Sequence, residues 1–294
     1  MASTQLLKRR VRSIGNTKQI TKAMELVAAA RMRRVMEAAQ KSRVYADAAA
    51  AILRRLSVTP EAAQHPYFKP ATSKGKLYII FNSDRGLAGA YNSNTFNAAA
   101  RSFVEDNKAG ISPMVIAFGR KGARHFSRGS NIELLGAYEN VDDDPDINVF
   151  APVLETISGG MEQDRFNSVS LIFTESISTM VQQVRTIQLL PIMLSAEEEE
   201  TKQTSRPADF AYELEPDSSV VLDTALRLYF ESALRRARVE AAASEHAMRM
   251  ISMGNANRNA TDLIDDLTLE LNATRQAAIT QEVAEIIGGA EGVA

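Results

Sequence analysis

The sequence contains no cysteine. That removes disulfides, thiolate metal sites, iron–sulfur clusters and cysteine nucleophiles at once. Its three histidines, His65, His125 and His246, are scattered, and no pair has the spacing of metal ligands. No apolar run approaches the ~20 residues of a membrane-spanning helix. The N-terminus is basic, but no apolar segment of signal-peptide length follows it, so it does not read as a secretory signal. Its Arg- and Ala-rich character resembles a mitochondrial transit peptide, yet the helical pattern runs unbroken to Ser57. Neither G-x-S-x-G nor H-E-x-x-H occurs, and no carboxylate pair suggests a catalytic pocket.

Proline is missing from both flanks, and glycine is scarce in them. All nine prolines lie between Pro60 and Pro216. Residues 1–59 hold one glycine, Gly15, and Asp217 to Ile287 hold one, Gly254. Both residues interrupt helices, and the flanks are rich in strong helix formers, so each flank reads as one long helix. At ~1.5 Å per residue, helices over 3–57 and 217–287 would reach roughly 80 and 105 Å. A compact domain cannot enclose them, so each needs a partner, and the simplest partner is the other flank.

Charge supports that pairing. Net charge is −2, which argues against a globally basic nucleic-acid binder, but its distribution is uneven. Residues 1–57 carry 13 basic and 3 acidic side chains, whereas 209–294 carry 7 basic and 15 acidic ones. Exposed pairs contribute only about 0–1 kcal/mol each, so charge would help set register while apolar burial holds the helices together. The first flank repeats Leu7, Val11, Ile14, Met24 and Val27 at helical steps; the last repeats Leu222, Leu226, Tyr229 and Ala233, then Ile264, Leu267 and Leu271. Small seam positions (Ala243, Ala247, Gly254) permit close approach but bury little area. The pattern reads as an irregular antiparallel coiled coil; one hairpin within a larger helical bundle is the alternative.

Between the flanks, 77–82, 113–118 and 168–174 are near-continuous apolar runs of strand length, and Val184 to Leu194 is a fourth. Helix-compatible stretches at 88–108, 119–127 and 147–162 alternate with them, which implies a mostly parallel α/β domain. The fold class is therefore α/β: a long antiparallel coiled coil of the N- and C-terminal helices plus a central Rossmann-like domain. The expected divisions are 1–58, 59–208 and 209–294. Residues 83–89, SDRGLAG, follow a strand, where glycine-rich turns can cradle phosphate. They match neither G-x-G-x-x-G nor the P-loop pattern, so a closely packed tight turn is the favoured reading, as it is for Gly119-Arg120-Lys121-Gly122. The acidic runs 142–144 and 197–200 read as solvated loops.

Three groups of residues carry a family resemblance. Residues 13–29, SIGNTKQITKAMELVAA, resemble the N-terminal signature of the gamma subunits of F-type ATP synthases. ASEHAMRM at 243–250 and TRQAAITQE at 274–282, continued by Val283 to Ile287, are similar to the C-terminal signature. His65-Pro66-Tyr67, SDRGLAG and Gln188-Leu189-Leu190-Pro191 fall in the family order. A family position that is often Cys is Ala88 here, and residues 209–217 look longer than usual.

The resemblance implies a non-catalytic rotor without cofactor or metal. Its paired terminal helices would form a shaft inside a ring of three alpha and three beta subunits. Its α/β foot would dock on epsilon and the c-subunit ring, coupling proton flow to ATP synthesis or hydrolysis. It also implies a peripheral place at the cytoplasmic face of a bacterial inner membrane, the motif beginning almost at Met1. By motif match, Lys18, Lys22 and Met24 face beta, Arg249 supports coupling, and Arg275, Gln276, Thr280 and Glu282 bond alpha and beta loops near the shaft top. A shaft that must turn should present a mostly polar skin. Two readings of other classes compete. A coiled coil that tracks nucleic acid with its basic helix lacks interleaved aromatics, Tyr45 being the sole one before residue 58. An α/β enzyme would use SDRGLAG as an anion loop.

Overall fold

The computed structural model describes residues 2–69, 73–129, 132–166, 168–192, 214–215 and 217–291. Two helices dominate, α1 (Ala2–Leu56) and α6 (Ser218–Glu291). Their lengths follow from the near absence of helix breakers. α1 ends where Ser57, Val58 and Thr59 turn the chain, and Thr59 caps the short α2 (Pro60–Gln64), its hydroxyl accepting from the Ala62 amide. The expected α/β order follows: β1 (Gly75–Phe81), α3 (Tyr91–Lys108), β2 (Ser112–Phe118), α4 (Arg120–Phe126), β3 (Glu133–Tyr138), α5 (Ala151–Glu162), β4 (Ser168–Ser176) and β5 (Gln182–Leu190).

The five strands form one sheet in the order β3-β2-β1-β4-β5. β1 pairs in parallel with β2 and β4, β2 pairs in parallel with β3, and β5 runs antiparallel to β4. This is the mostly parallel, Rossmann-like arrangement expected. The central strands are largely apolar because helices cover both faces; Leu77 to Ile80 and Val169 are fully buried. β3 and α2 were not anticipated. β3 is an edge strand interrupted by Gly136 and only partly buried, so its composition carries little β signal. The fourth apolar run begins its strand two residues earlier than expected and ends at Leu190, before Pro191. The acidic run 197–200 and most of 209–217 lie outside the described residues.

The chain divides into two compact units, 1–30 with 249–294 and 31–248. In the first, α1 and α6 are the elements present. In the second, the remaining parts of both helices pack with the α/β elements. One core joins Leu53 and Leu56 of α1, Leu226, Phe230 and Leu234 of α6, and Ile157 of α5 to the face of the sheet bearing Leu77, Ile79 and Leu171. The opposite face bears Tyr78, Ile80 and Ile172 and is covered by Ala99 and Phe103 of α3 and Phe126 of α4. A third cluster sets Val35 and Ala39 against Val239, Ala242 and Ala243, and the pairs Arg43–Glu240 and Asp47–Arg236 show that the two helices run antiparallel there.

Candidate interaction surfaces

In the unit formed by 1–30 and 249–294, Gly254 marks the register. A Cβ there would come 3.6 Å from the Glu25 carboxyl carbon, an ordinary contact. Antiparallel packing then places Ala2 opposite about residue 277, so α6 runs on past the first residue of α1 for roughly four turns. Every described side chain from Ile279 to Ile287 is exposed. Ile279, Val283 and Ile286, with Ile287 beside them, recur at i, i+4 and i+7 and form one apolar stripe on this single helix.

The site residues implied by resemblance fall into two groups. Lys18 and Met24 are half-buried, and Lys22 is exposed and paired with Glu25 at 3.2 Å. Arg249 is buried, at 9% exposure. Arg275, Gln276, Thr280 and Glu282 are exposed, and the Thr280 hydroxyl donates to the Gln276 carbonyl at 3.0 Å. Within this chain, then, the structure does not gather these residues into one cluster. The surface is also less polar than expected: besides the stripe, Ile20, Leu26, Val27, Leu263 and Leu269 are exposed.

The second unit answers the phosphate-loop question. The SDRGLAG turn is satisfied from within. The Ser83 amide donates to Asn92 Oδ1 at 3.0 Å, and the Ser83 hydroxyl donates to the Arg85 carbonyl at 2.7 Å. Asp84 reaches across to accept from the Arg120 amide at 2.9 Å and the Asn140 amide at 3.1 Å. The first amide of α4 therefore already holds an anion, supplied by the chain. Gly119 is at φ 91°, and a Cβ there would strike the Asn82 carbonyl at 2.2 Å. Both glycine-rich turns thus read as tight, closely packed turns.

Doubly wound sheets hold ligands where strand order reverses, here between the C-terminal ends of β1 and β4. On the β4 side, α6 fills that place. The Ser244 hydroxyl donates to the Thr174 carbonyl at 3.0 Å, and the fully buried Glu240 accepts from the Ser176 amide at 3.2 Å. Glu240 also accepts from Arg43 Nε, whose Nη2 donates to the Ser176 carbonyl at 2.9 Å. Neighbouring charges extend the cluster. His246, 4% exposed, meets Asp143 at 2.8 Å, and Arg238 lies 3.4 Å from the same carboxylate. Burial alone would raise the Asp143 carboxyl, but the hydrogen bond and charge of His246, with Arg238 and Arg31, hold it below the usual carboxylate range. Asp144 accepts from Arg235 at 2.9 Å, so two of the acids read as a solvated loop in fact tie that loop to α6.

A cleft of about 340 Å³ brings together Ser158, His65 and Asp223, types that suggest a catalytic triad. The bonding argues otherwise. His65 Nδ1 accepts from the Tyr67 amide at 3.2 Å, Nε2 faces Asp223 at 3.5 Å, and the Ser158 hydroxyl donates to the Glu155 carbonyl at 3.2 Å. Neither imidazole nitrogen is left to take a proton from the serine. Among the described residues no group of three His, Asp or Glu could hold a metal ion, and no helix is long and apolar enough to cross a membrane.

Residues 3–293 match the ATP synthase family model. The chain is 36% identical over 291 residues to the ATP synthase gamma chain of Legionella pneumophila strain Corby, and 34% identical over 290 residues to that of Desulforamulus reducens, with 99% of each chain covered in both cases. In fold it is similar to a chain of the Euglena gracilis mitochondrial ATP synthase rotor, with a TM-score of 0.64 at 17% identity, covering 95% of this chain and 99% of that one. It is also similar to a chain of the Tetrahymena thermophila mitochondrial central stalk and c-ring, with a TM-score of 0.62 at 21% identity, covering 81% and 99%. Full-length agreement with relatives that share a third of their residues, on the fold those residues require, means that this chain belongs to the ATP synthase gamma chain family.

Proposed function

We propose that the chain is the central rotor shaft of an ATP synthase and passes torque between a proton-driven c ring and the catalytic beta subunits without catalysing a reaction itself. Residues 1–58 and 209–294 serve as the shaft and 59–208 as the foot. The shaft turns inside three alpha and three beta subunits, and the foot docks on epsilon and the c ring at the cytoplasmic face of a bacterial inner membrane. No cofactor is required.

The observation that carries this reading is the apolar stripe at the end of α6. Exposed Ile279, Val283 and Ile286, with no partner among the described residues, leave apolar surface in water, which is unfavourable unless something surrounds it. A ring of subunits around the helix end meets that need without gripping one direction. Below the stripe, basic side chains of α1 meet acidic loops of beta through screened attraction, which tolerates sliding. Lys18, Lys22 and Met24 face beta, Arg249 supports coupling from within the helix pair, and Arg275, Gln276, Thr280 and Glu282 bond the ring's loops.

Purification through a tag on this chain tests the assignment: alpha and beta subunits should follow in threefold excess, and their absence would refute it. Arg275→Ala combined with Gln276→Ala should lower coupled ATP turnover in the reassembled complex by about fivefold, the scale of losing one well-placed polar contact. Helicity by circular dichroism should stay unchanged. Normal turnover would remove the roles assigned to these two residues.

A further inference from the structure

The rotor reading leaves unexplained the charges gathered where α6 crosses the C-terminal edge of the sheet. Arg235, Arg236, Arg238, Glu240 and His246 of α6 all bond groups outside α6. Arg235 binds Asp144. Arg236 lies 3.1 Å from Asp47 of α1 and 4.0 Å from Glu175 of β4. Arg238 donates to the Val141 carbonyl at 2.7 Å and approaches Asp143, which also holds His246. Glu240 is fully buried between Arg43 of α1 and the Ser176 amide. Ser176 is thus held by α6 through its N–H and by α1 through its carbonyl.

We propose that this cluster is a torsional joint: Glu240 and Asp143 act as positioning residues that stop the α/β foot from slipping around the helix pair when torque crosses it. The inference rests on the rotor reading.

Stability alone does not account for the choice of residues, because well-packed apolar side chains replace buried ion pairs with neutral or favourable effect. The difference lies in direction. Apolar contact is non-directional, so one face can slide over another with little change in buried area. A charge-assisted hydrogen bond weakens steeply with distance and angle, so the same slide breaks it and leaves a buried charge unpaired. Bonds that reach α6 from β4, from the loop after β3 and from α1 oppose rotation in either sense, which suits an engine that makes or hydrolyses ATP.

The test uses the complete complex in membrane vesicles, with Glu240→Gln and Asp143→Asn introduced together. ATP hydrolysis and ATP-driven proton uptake are measured on the same vesicles. Hydrolysis should stay near the unmodified rate while proton uptake per ATP falls roughly three- to tenfold, the scale expected from a coupling network. Asp143→Glu with Glu240 intact should recover most of the coupling. Vesicles with full subunit content and unchanged uptake per ATP would overturn the joint. If the double variant does not assemble, Arg236→Gln, whose partner Asp47 is well exposed, should give a smaller loss in the same ratio, and no loss there would overturn the joint as well. Failure of the unmodified chain to support ATP-driven uptake would instead refute the rotor reading.

Discussion

Asp84 offers a direct test of whether the SDRGLAG turn binds an external anion. Its carboxylate accepts from the Arg120 amide at 2.9 Å and from the Asn140 amide through both oxygens at 3.1 Å. The first bond satisfies an amide at the start of α4; the second steadies Asn140, which sits at a positive φ of 54°. Asp84→Ala removes both. Replacing a capping carboxylate by alanine costs about 0.5–2 kcal/mol, and the partial exposure of the site lets water recover some of the loss, so about 1–1.5 kcal/mol is expected. For a unit of this size that lowers Tm by roughly 2–6 °C. The vacated position then holds unpaired amides beside Arg120, so millimolar sulfate or phosphate should restore part of the loss in the variant and leave the unmodified chain unaffected. Calorimetric scans of both proteins across a phosphate series, with titration of nucleotides and polyphosphates into the unmodified chain, decide the matter. Stoichiometric binding of phosphate or nucleotide by the unmodified chain would refute the argument that Asp84 already fills the site.

Two further predictions concern the helix pair. Gly254→Ala should stabilise the unit formed by the chain ends by about 0.5–1 kcal/mol, since the added methyl meets only the Glu25 carboxyl at ordinary distance and glycine is a poor helix former; a fall in Tm would show that the seam requires glycine. The depressed Asp143 carboxyl contributes stability that is complete above its ordinary value of 3.8 and is lost as pH falls through the lower value it has when folded, so Asp143→Asn should flatten the acid limb of the stability curve below about pH 4, and an unaltered limb would contradict the bonding described.

What composition made legible was whatever depends on one residue type repeated over distance. The absence of proline and the scarcity of glycine in both flanks mark α1 and α6 closely, because a proline inside either would have broken or kinked it. The central strands were legible because burial on both faces favours near-continuous apolar runs. β3 was not, since an edge strand whose residues are only partly buried needs neither continuity nor strict alternation. The charged cluster was not legible for a different reason. Arg43 and Glu240 stand 197 positions apart, and nothing local distinguishes a carboxylate that will be buried against another element from one that will face water. Asp143 and Asp144 show the consequence: an acidic loop by composition, a clamp once α6 lies beside it. The apolar stripe from Ile279 to Ile287 was readable in part, because its spacing is helical, but only the register with α1 shows that this helix end has no partner among the described residues.

The packing of α6 bears on the place where a sheet of this type usually holds a ligand. In doubly wound sheets the crevice at the strand reversal stays open because the chain leaves it empty for a ligand. Here the last helix returns across the β4 side of that crevice, with Ser244 and Glu240 bonded to the strand's own backbone. A phosphate there would need free amides, but the Ser176 amide is already held by a buried carboxylate, and bringing a second anion beside Glu240 would carry the cost of unscreened like charge. Elements that elsewhere bind a ligand are used here to grip a helix, and the grip is firm because the groups involved are strong, directional and shielded from water. The bonded helix on the β4 side of the sheet's usual ligand position is therefore a direct result of how α6 packs.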